Sequence, residues 1–276
     1  AGFDADSLWF NLKPGGLGPG DRRAPWLQHD ALRRAISMAV DRQLFANTVF
    51  LGAGVPVYGP ITPANRKWFA NLPPVPHDPA RAKAALAAIG LTDRNGDGVL
   101  EDGNNQAVRF SLLSQKGNTS IERGAAVIRD ELKKIGVTVD VVALDGGSVI
   151  QRFLAGNYDA VYFRVGATDS DPAINPDFWF SSGSAHAWNL EQKTPATEWE
   201  ARIDDLMRRQ IAAPDDAERK RLFDEVQKIF AEHLPMIQFV APRVYVAAST
   251  RVINLTPTAF SRPQLLWSPD TIAVVR

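Results

Sequence analysis

The chain has 276 residues, 45% apolar and 22% charged, the proportions of an ordinary globular protein able to bury one large core or two modest ones. Thirty-one basic residues offset thirty-one acidic ones, which excludes a global field that would steer the chain to nucleic acid or an acidic membrane. The absence of cysteine excludes disulfides, thiolate zinc sites and cysteine nucleophiles. No apolar run approaches the ~20 residues of a membrane span, and Ala1-Gly2-Phe3-Asp4 shows neither the basic start nor the apolar segment of a secretion signal.

In chain order, Leu8 to Leu12 reads as a short strand stopped by the glycine- and proline-rich loop 14–20. A helix over about 30–40 carries Leu32, Ile36 and Val40 on one side, and a second follows over 44–50. Residues 52–77 form a long connection with Trp68 and Phe69 as anchors. Asp78 caps a helix with Pro79 at its first position and Ala82, Ala85, Leu86 and Ile89 as its stripe, ended by Gly90. Strand 108–113 leads to a helix over 120–135, where Ile121, Ala125, Ile128, Leu132 and Ile135 repeat at spacings of 4, 3, 4 and 3. Val137, Val139 and Val141 alternate with polar residues as a strand, a helix covers 147–155, and a strand runs from Tyr158 to Phe163. Two long helices follow. One carries Trp199, Ile203, Leu206 and Met207; the other is capped by Asp215 with Glu218 and carries Leu222, Val226, Ile229 and Phe230. Residues 236–247 are β-rich, and the last thirty have weak periodicity. Alternating strands and helices predict an α/β fold, with a mixed sheet flanked by helices on both faces.

Catalytic signatures are absent: there is no HExxH, GxSxG, SxxK or P-loop. The four histidines, His29, His77, His186 and His233, are widely separated; three lie near helix ends, and His186 sits in a loop beside Trp188, where both rings are candidate ligand contacts. The sharpest chemical motif is Asp93-Arg94-Asn95-Gly96-Asp97-Gly98-Val99-Leu100-Glu101. Asp93, Asn95, Asp97, the Val99 carbonyl and Glu101 match the start of a calcium loop, but position twelve is Asn104 and the chain continues into a strand. Two readings follow: bound calcium, or a turn whose acidic residues satisfy their own backbone.

The LRRAISMAVDR run at 32–42, the Asp78-Pro79 helix with its Gly96-Asp97-Gly98 turn, Asn157-Tyr158-Asp159, Asp171-Pro172 and the helix Arg219 to His233 together resemble the large carboxy-terminal lobe of the extracytoplasmic solute-binding proteins of peptide-type ABC importers. That resemblance implies a periplasmic-binding-protein-like lobe over 1–247, with crossover strands near 7–12 and 236–247. It also implies a tail, 248–276, that packs on an amino-terminal lobe absent from this fragment. It further implies an extracytoplasmic protein without enzymatic activity or cofactor, which captures a small solute, a peptide first, and delivers it to a membrane permease. Sugars or metal chelates on the same scaffold, and an α/β hydrolase-like enzyme, are the alternatives.

The ligand segment implied by the resemblance follows the 158–163 strand, with Arg164, Gly166, Thr168 and Asp169 as contacts. The acidic partner of a peptide amino terminus falls on Thr168, with Asp169 one residue later. Where relatives carry an aromatic residue at the start of the preceding helix this chain has Gly146 and Gly147, and Phe153 stands in place of a later basic residue. Arg164 has the forked donors to hold an anionic or hydroxyl-bearing ligand.

Overall fold

A computed structural model describes residues 1–166, 170–258 and 269–275. Six strands form one sheet: β1 (Ala5–Phe10), β2 (Gly54–Pro56), β3 (Arg109–Gln115), β4 (Thr138–Leu144), β5 (Ala160–Val165) and β6 (Met236–Pro242), in the order β2-β6-β1-β5-β3-β4. β3 runs parallel to β4 and β5, whereas β1 is antiparallel to both β5 and β6, so the sheet is mixed as expected. A separate two-stranded ribbon, β7 (Val252–Ile253) with β8 (Ala273–Val274), lies in the tail.

Nine α-helices surround the strands among the described residues: α1 (Ala24–Leu27), α2 (Asp30–Ala39), α3 (Arg42–Phe50), α4 (Pro79–Ala87), α5 (Thr119–Lys134), α6 (Gly146–Leu154), α7 (Pro176–Trp179), α8 (Glu198–Ala212) and α9 (Asp216–His233). Because side chains alternate along a strand, each central strand feeds two cores. Leu8 and Phe10 of β1 join Ala160 and Tyr162 of β5 beneath α2 to α5. Trp9 and Val161 point the other way, to a core built with α6, α8, α9 and Trp68. Helices therefore cover both faces, which is why β1 is buried along its whole length.

Several boundaries differ from the sequence reading. The first strand begins at Ala5 and stops at Phe10: the Asn11 amide still reaches its facing residue, Asp159, but the Leu12 amide turns away to the Trp188 carbonyl. The strand read over 236–247 ends at Pro242, since proline brings no amide to the ladder and no strand follows over 243–251. The long connection 52–77 contains β2, where Gly54 lies so close to β6 that a Cβ would stand 2.4 Å from Val240 Cγ1. Trp68 does anchor this connection, and the Gln227 side chain clamps it by donating to the Trp68 carbonyl and accepting from the Ala70 amide.

Gly124 sits inside α5, a place where glycine normally weakens a helix. It is required here because the Tyr162 hydroxyl packs against it: a Cβ on residue 124 would lie 1.9 Å from that oxygen. Gly124→Ala, favourable in an isolated helix, is therefore expected to lower the unfolding free energy by about 1–3 kcal/mol. Urea denaturation checks this, and an unchanged or raised stability would show that the close approach is dispensable.

Candidate functional site

The carboxyl ends of β3, β4 and β5 lie at one border of the sheet, where open α/β sheets hold ligands. Along β5 the odd residues Val161, Phe163 and Val165 line a groove, together with Gly166, Val149, Ile150, Phe153 and Leu154 of α6, and Asn175 and Phe178 of the following segment. Ala185 and Ala187 close one wall, while Trp9 and Met236 lie on the sheet side; the volume is about 320 Å3. Trp9 meets Phe153 edge to face at 5.7 Å, which fixes the floor against the helix. α6 itself is set by Asp145, whose carboxylate accepts from the Ser148 amide at 3.0 Å.

The wall bearing Ala185 and Ala187 is held from behind. His186 Nε2 lies 3.1 Å from Glu200 Oε1 on α8, Trp188 Nε1 donates to the same oxygen at 3.3 Å, and the two rings are 4.1 Å apart. Glu200 Oε2 accepts from the Ala196 and Thr197 amides and completes a capping box with Thr197. Burial alone would raise the Glu200 carboxyl, but the hydrogen bond and charge of His186, with the Ala196 amide and Gln192, hold it below the usual range. Tyr158 Oη donates to the Ala187 carbonyl at 3.1 Å, and Ser181 donates through its amide and hydroxyl to Asp204. His186 and Trp188 are each only 1% exposed, so the expectation that their rings meet a ligand is corrected: they position the wall from inside.

Arg164 is likewise redirected. Strand alternation turns it to the face opposite the groove, where Nε donates to Asp6 at 2.7 Å and an Nη to Ser120 Oγ at 3.1 Å, with the guanidinium over Phe50. Its fork thus ties β5 to β1 and α5 rather than facing Phe163 and Val165 across the groove. Gly166 does line the groove, and its lack of a side chain matters because a Cβ would stand 2.6 Å from Asp4 Oδ1. Thr168 and Asp169 lie outside the described residues. On the far side of that segment, Asp171 accepts a bidentate pair from Arg219 of α9 at 2.8 and 2.5 Å, and a guanidinium that stacks on Trp68 bolts the chain down.

Asp6 is wholly buried on β1 and accepts from both Arg164 and the Tyr162 hydroxyl, the latter at 2.6 Å. Desolvation raises its carboxyl above the ordinary 3.8, with Arg164 pulling in the opposite direction. A raised folded-state value means that the native protein binds the proton more tightly than the unfolded chain does. Asp6 therefore favours the folded state most at low pH, and that contribution falls as pH climbs from 3.8 through the raised value. Across that window the wild type is expected to lose stability relative to Asp6→Asn, as read by denaturation at a series of pH values. Parallel curves would show that Asp6 ionises in the fold as it does in water.

The acidic loop closes largely on its own backbone. Asp93 accepts from the Gly96 and Gly98 amides, Asn95 from that of Asp97, Asp97 from that of Val99, and Glu101 from that of Arg94. Asp93, Asp97 and Glu101 bring carboxylate oxygens within 4.8 Å of one another, the one cluster of metal-ligating type among the described residues. Thr92, Glu101 and Ala107 form bridges, so the loop leads into extended chain and not into the helix that would carry a closing bidentate glutamate. Each of those carboxylates thus accepts from at least one backbone amide without an ion, which is the turn reading. Calorimetric titration with calcium is expected to give no heat and no change in Tm, and a saturable exotherm abolished by Asp93→Ala would establish a calcium site.

A two-faced α/β lobe with a groove at its strand ends is the periplasmic-binding-protein architecture. The chain belongs to the bacterial extracellular solute-binding proteins, family 5, whose Middle region matches residues 1–187. It is 26% identical over 261 residues to a probable ABC transporter-binding protein of Deinococcus radiodurans, covering 88% of this chain and 43% of that protein. Among solved structures it resembles the oligopeptide-binding protein AppA of Bacillus subtilis in complex with a nonapeptide, with a TM-score of 0.75 at 20% identity, over 100% of this chain and 51% of AppA. It also resembles the periplasmic binding protein MelB of Agrobacterium fabrum in complex with stachyose, with a TM-score of 0.78 at 24% identity, over 87% of this chain and 38% of MelB. The chain thus spans about half or less of each of these proteins.

Proposed function

We propose that this chain is the large lobe of the substrate-binding component of an ABC importer, and that it captures a small solute, a peptide, outside the membrane for delivery to a permease. The family match over 1–187 carries this reading. The names of its relatives support it, as does a groove open along the carboxyl ends of the central strands. No described helix is long and apolar enough to cross a membrane, and the family is one of extracellular solute-binding proteins.

The role proposed is mechanical and not catalytic. A second, amino-terminal lobe supplies the facing wall, and the ligand stabilises the closed state because both lobes touch it only there. In that scheme β1 and β6 lead to the crossings between lobes. The chain beyond 247, with Val274 of its β7–β8 ribbon 64% exposed, is the part that packs on the partner lobe. The segment that includes Thr168 and Asp169 is assigned to the ligand's amino terminus on the strength of the family resemblance alone. A sugar or metal-chelate ligand gains no support from the apolar groove lining.

The test compares the full-length gene product with residues 1–276 alone in isothermal titration against a tripeptide panel. The full-length protein is expected to bind at micromolar concentration or below, and the lobe alone at least about a hundredfold more weakly, since it forms one wall of the cleft. Turnover of a peptide, or equal affinity for lobe and full-length protein, would refute the clamp.

A further inference from the structure

Among the described residues that line the groove, none carries a charge, and Asn175 is the one with an amide side chain. The rest are Trp9, Met236, Phe153, Phe163, Phe178 and branched or small aliphatic residues. Sugar recognition needs several donors and acceptors directed at hydroxyls, and a metal chelate needs polar groups for its charge; beyond the Asn175 amide and the Trp9 indole N–H, the described side chains of this lining supply neither. A volume near 320 Å3 lies at the lower end of small-ligand pockets, the size of one bulky group and not of a folded partner.

The rim of the groove is just as apolar. Ile150 and Leu154, successive outward positions on α6, are 49% and 63% exposed although they border the cavity. Apolar surface left open beside a concave apolar floor gains most by closing over an apolar guest. The back of the cavity is stiff: His186, Glu200, Tyr158 and Asp204 bind the 181–188 wall through side chains that do not reach the guest. The groove therefore keeps its shape without a ligand, which limits the ordering cost of binding.

We infer that this groove receives one large apolar side chain of the captured ligand, aromatic or branched aliphatic, and so selects apolar peptides over small, acidic or glycosidic solutes. This inference rests on the peptide-capture reading above and adds to it the class of side chain.

The experiment uses the full-length gene product and titrates Ala-Phe-Ala, Ala-Leu-Ala, Ala-Gly-Ala, Ala-Asp-Ala, stachyose and free indole, each by calorimetry. Burial of a large apolar side chain is worth about one to two decades of affinity, so the phenylalanine and leucine peptides are expected to bind at least about tenfold more tightly than the glycine peptide. Ile150→Asn and Leu154→Asn place an amide on a largely exposed rim, where folding tolerates it, and each is expected to close most of that gap. Equal affinity for the glycine and phenylalanine peptides, or a gap that both variants leave intact, overturns the side-chain inference and spares the peptide reading. Binding of indole but of no peptide, lost in Ile150→Asn, sinks the peptide reading and retains an apolar groove. Binding of stachyose alone sinks both.

Discussion

The carboxylate of Asp6 is the charge on which the geometry of the lobe turns. It lies wholly buried on a central strand, where a lone ion would be intolerable, and it is made tolerable by Arg164 and Tyr162 from the neighbouring strand. Each partner then has a second commitment. Arg164 also donates to Ser120 at the start of α5, and Tyr162 fits against that helix only because residue 124 is glycine. One buried charge thus sets the register of β1 against β5 and the seat of α5 on both. Since β5 ends at the groove, the same interaction fixes where Phe163 and Val165 face.

A buried cation poses the opposite problem. Among the described residues no carboxylate pairs with Arg42; its donors go to the carbonyls of Val57, Gln238 and Ser37 and to the Ser37 hydroxyl, and its guanidinium lies 4.8 Å from the centre of the Tyr58 ring. Desolvation lowers it to about 10, still charged at neutral pH. It joins α2, α3, the long connection and β6 at one point. Arg33 does similar work between α2 and the end of α9, reaching the carbonyls of Gln28 and His233. Arg33 differs in that an Nη also donates to the Asp30 carboxylate, whereas at Arg42 backbone carbonyls and the Ser37 hydroxyl supply the counter-dipoles and give directional fixing without a paired ion among the described residues.

Periodicity made most of the helices readable. The apolar spacing of α5, the proline-led start of α4 and the Asp215 cap of α9 all appear in the structure, because each rests on contacts within a few residues. The capping box of α8 was equally visible in Thr197-Glu198-Trp199-Glu200 but was not drawn from the sequence. β2 escaped notice because three residues carry no period. The site was less legible. Whether His186 and Trp188 face a ligand depends on Glu200, a helix position fourteen residues beyond His186, and loop composition says nothing of that pairing. Arg164 and Gly166 have the same parity, yet the pleat carries the arginine side chain away from the groove while Gly166, one residue past the end of β5, borders it. Gly124 gave a faint signal, a glycine on the inward stripe of a good helix, whose meaning required Tyr162 to be placed.

The two borders of the sheet carry a consequence for how such a lobe behaves in isolation. One border, β2, is only three residues long and ends in Pro56, which has no amide to offer an incoming strand. The other, β4, carries Asp140 paired to Arg109 across the ladder, a hydrated ion pair that a docking strand would have to strip. Neither rim is an inviting template, so copies of this lobe are poorly equipped to zip together edge on edge. Self-association, where it occurs, falls to the exposed side chains of the tail and of the groove rim instead of to the sheet.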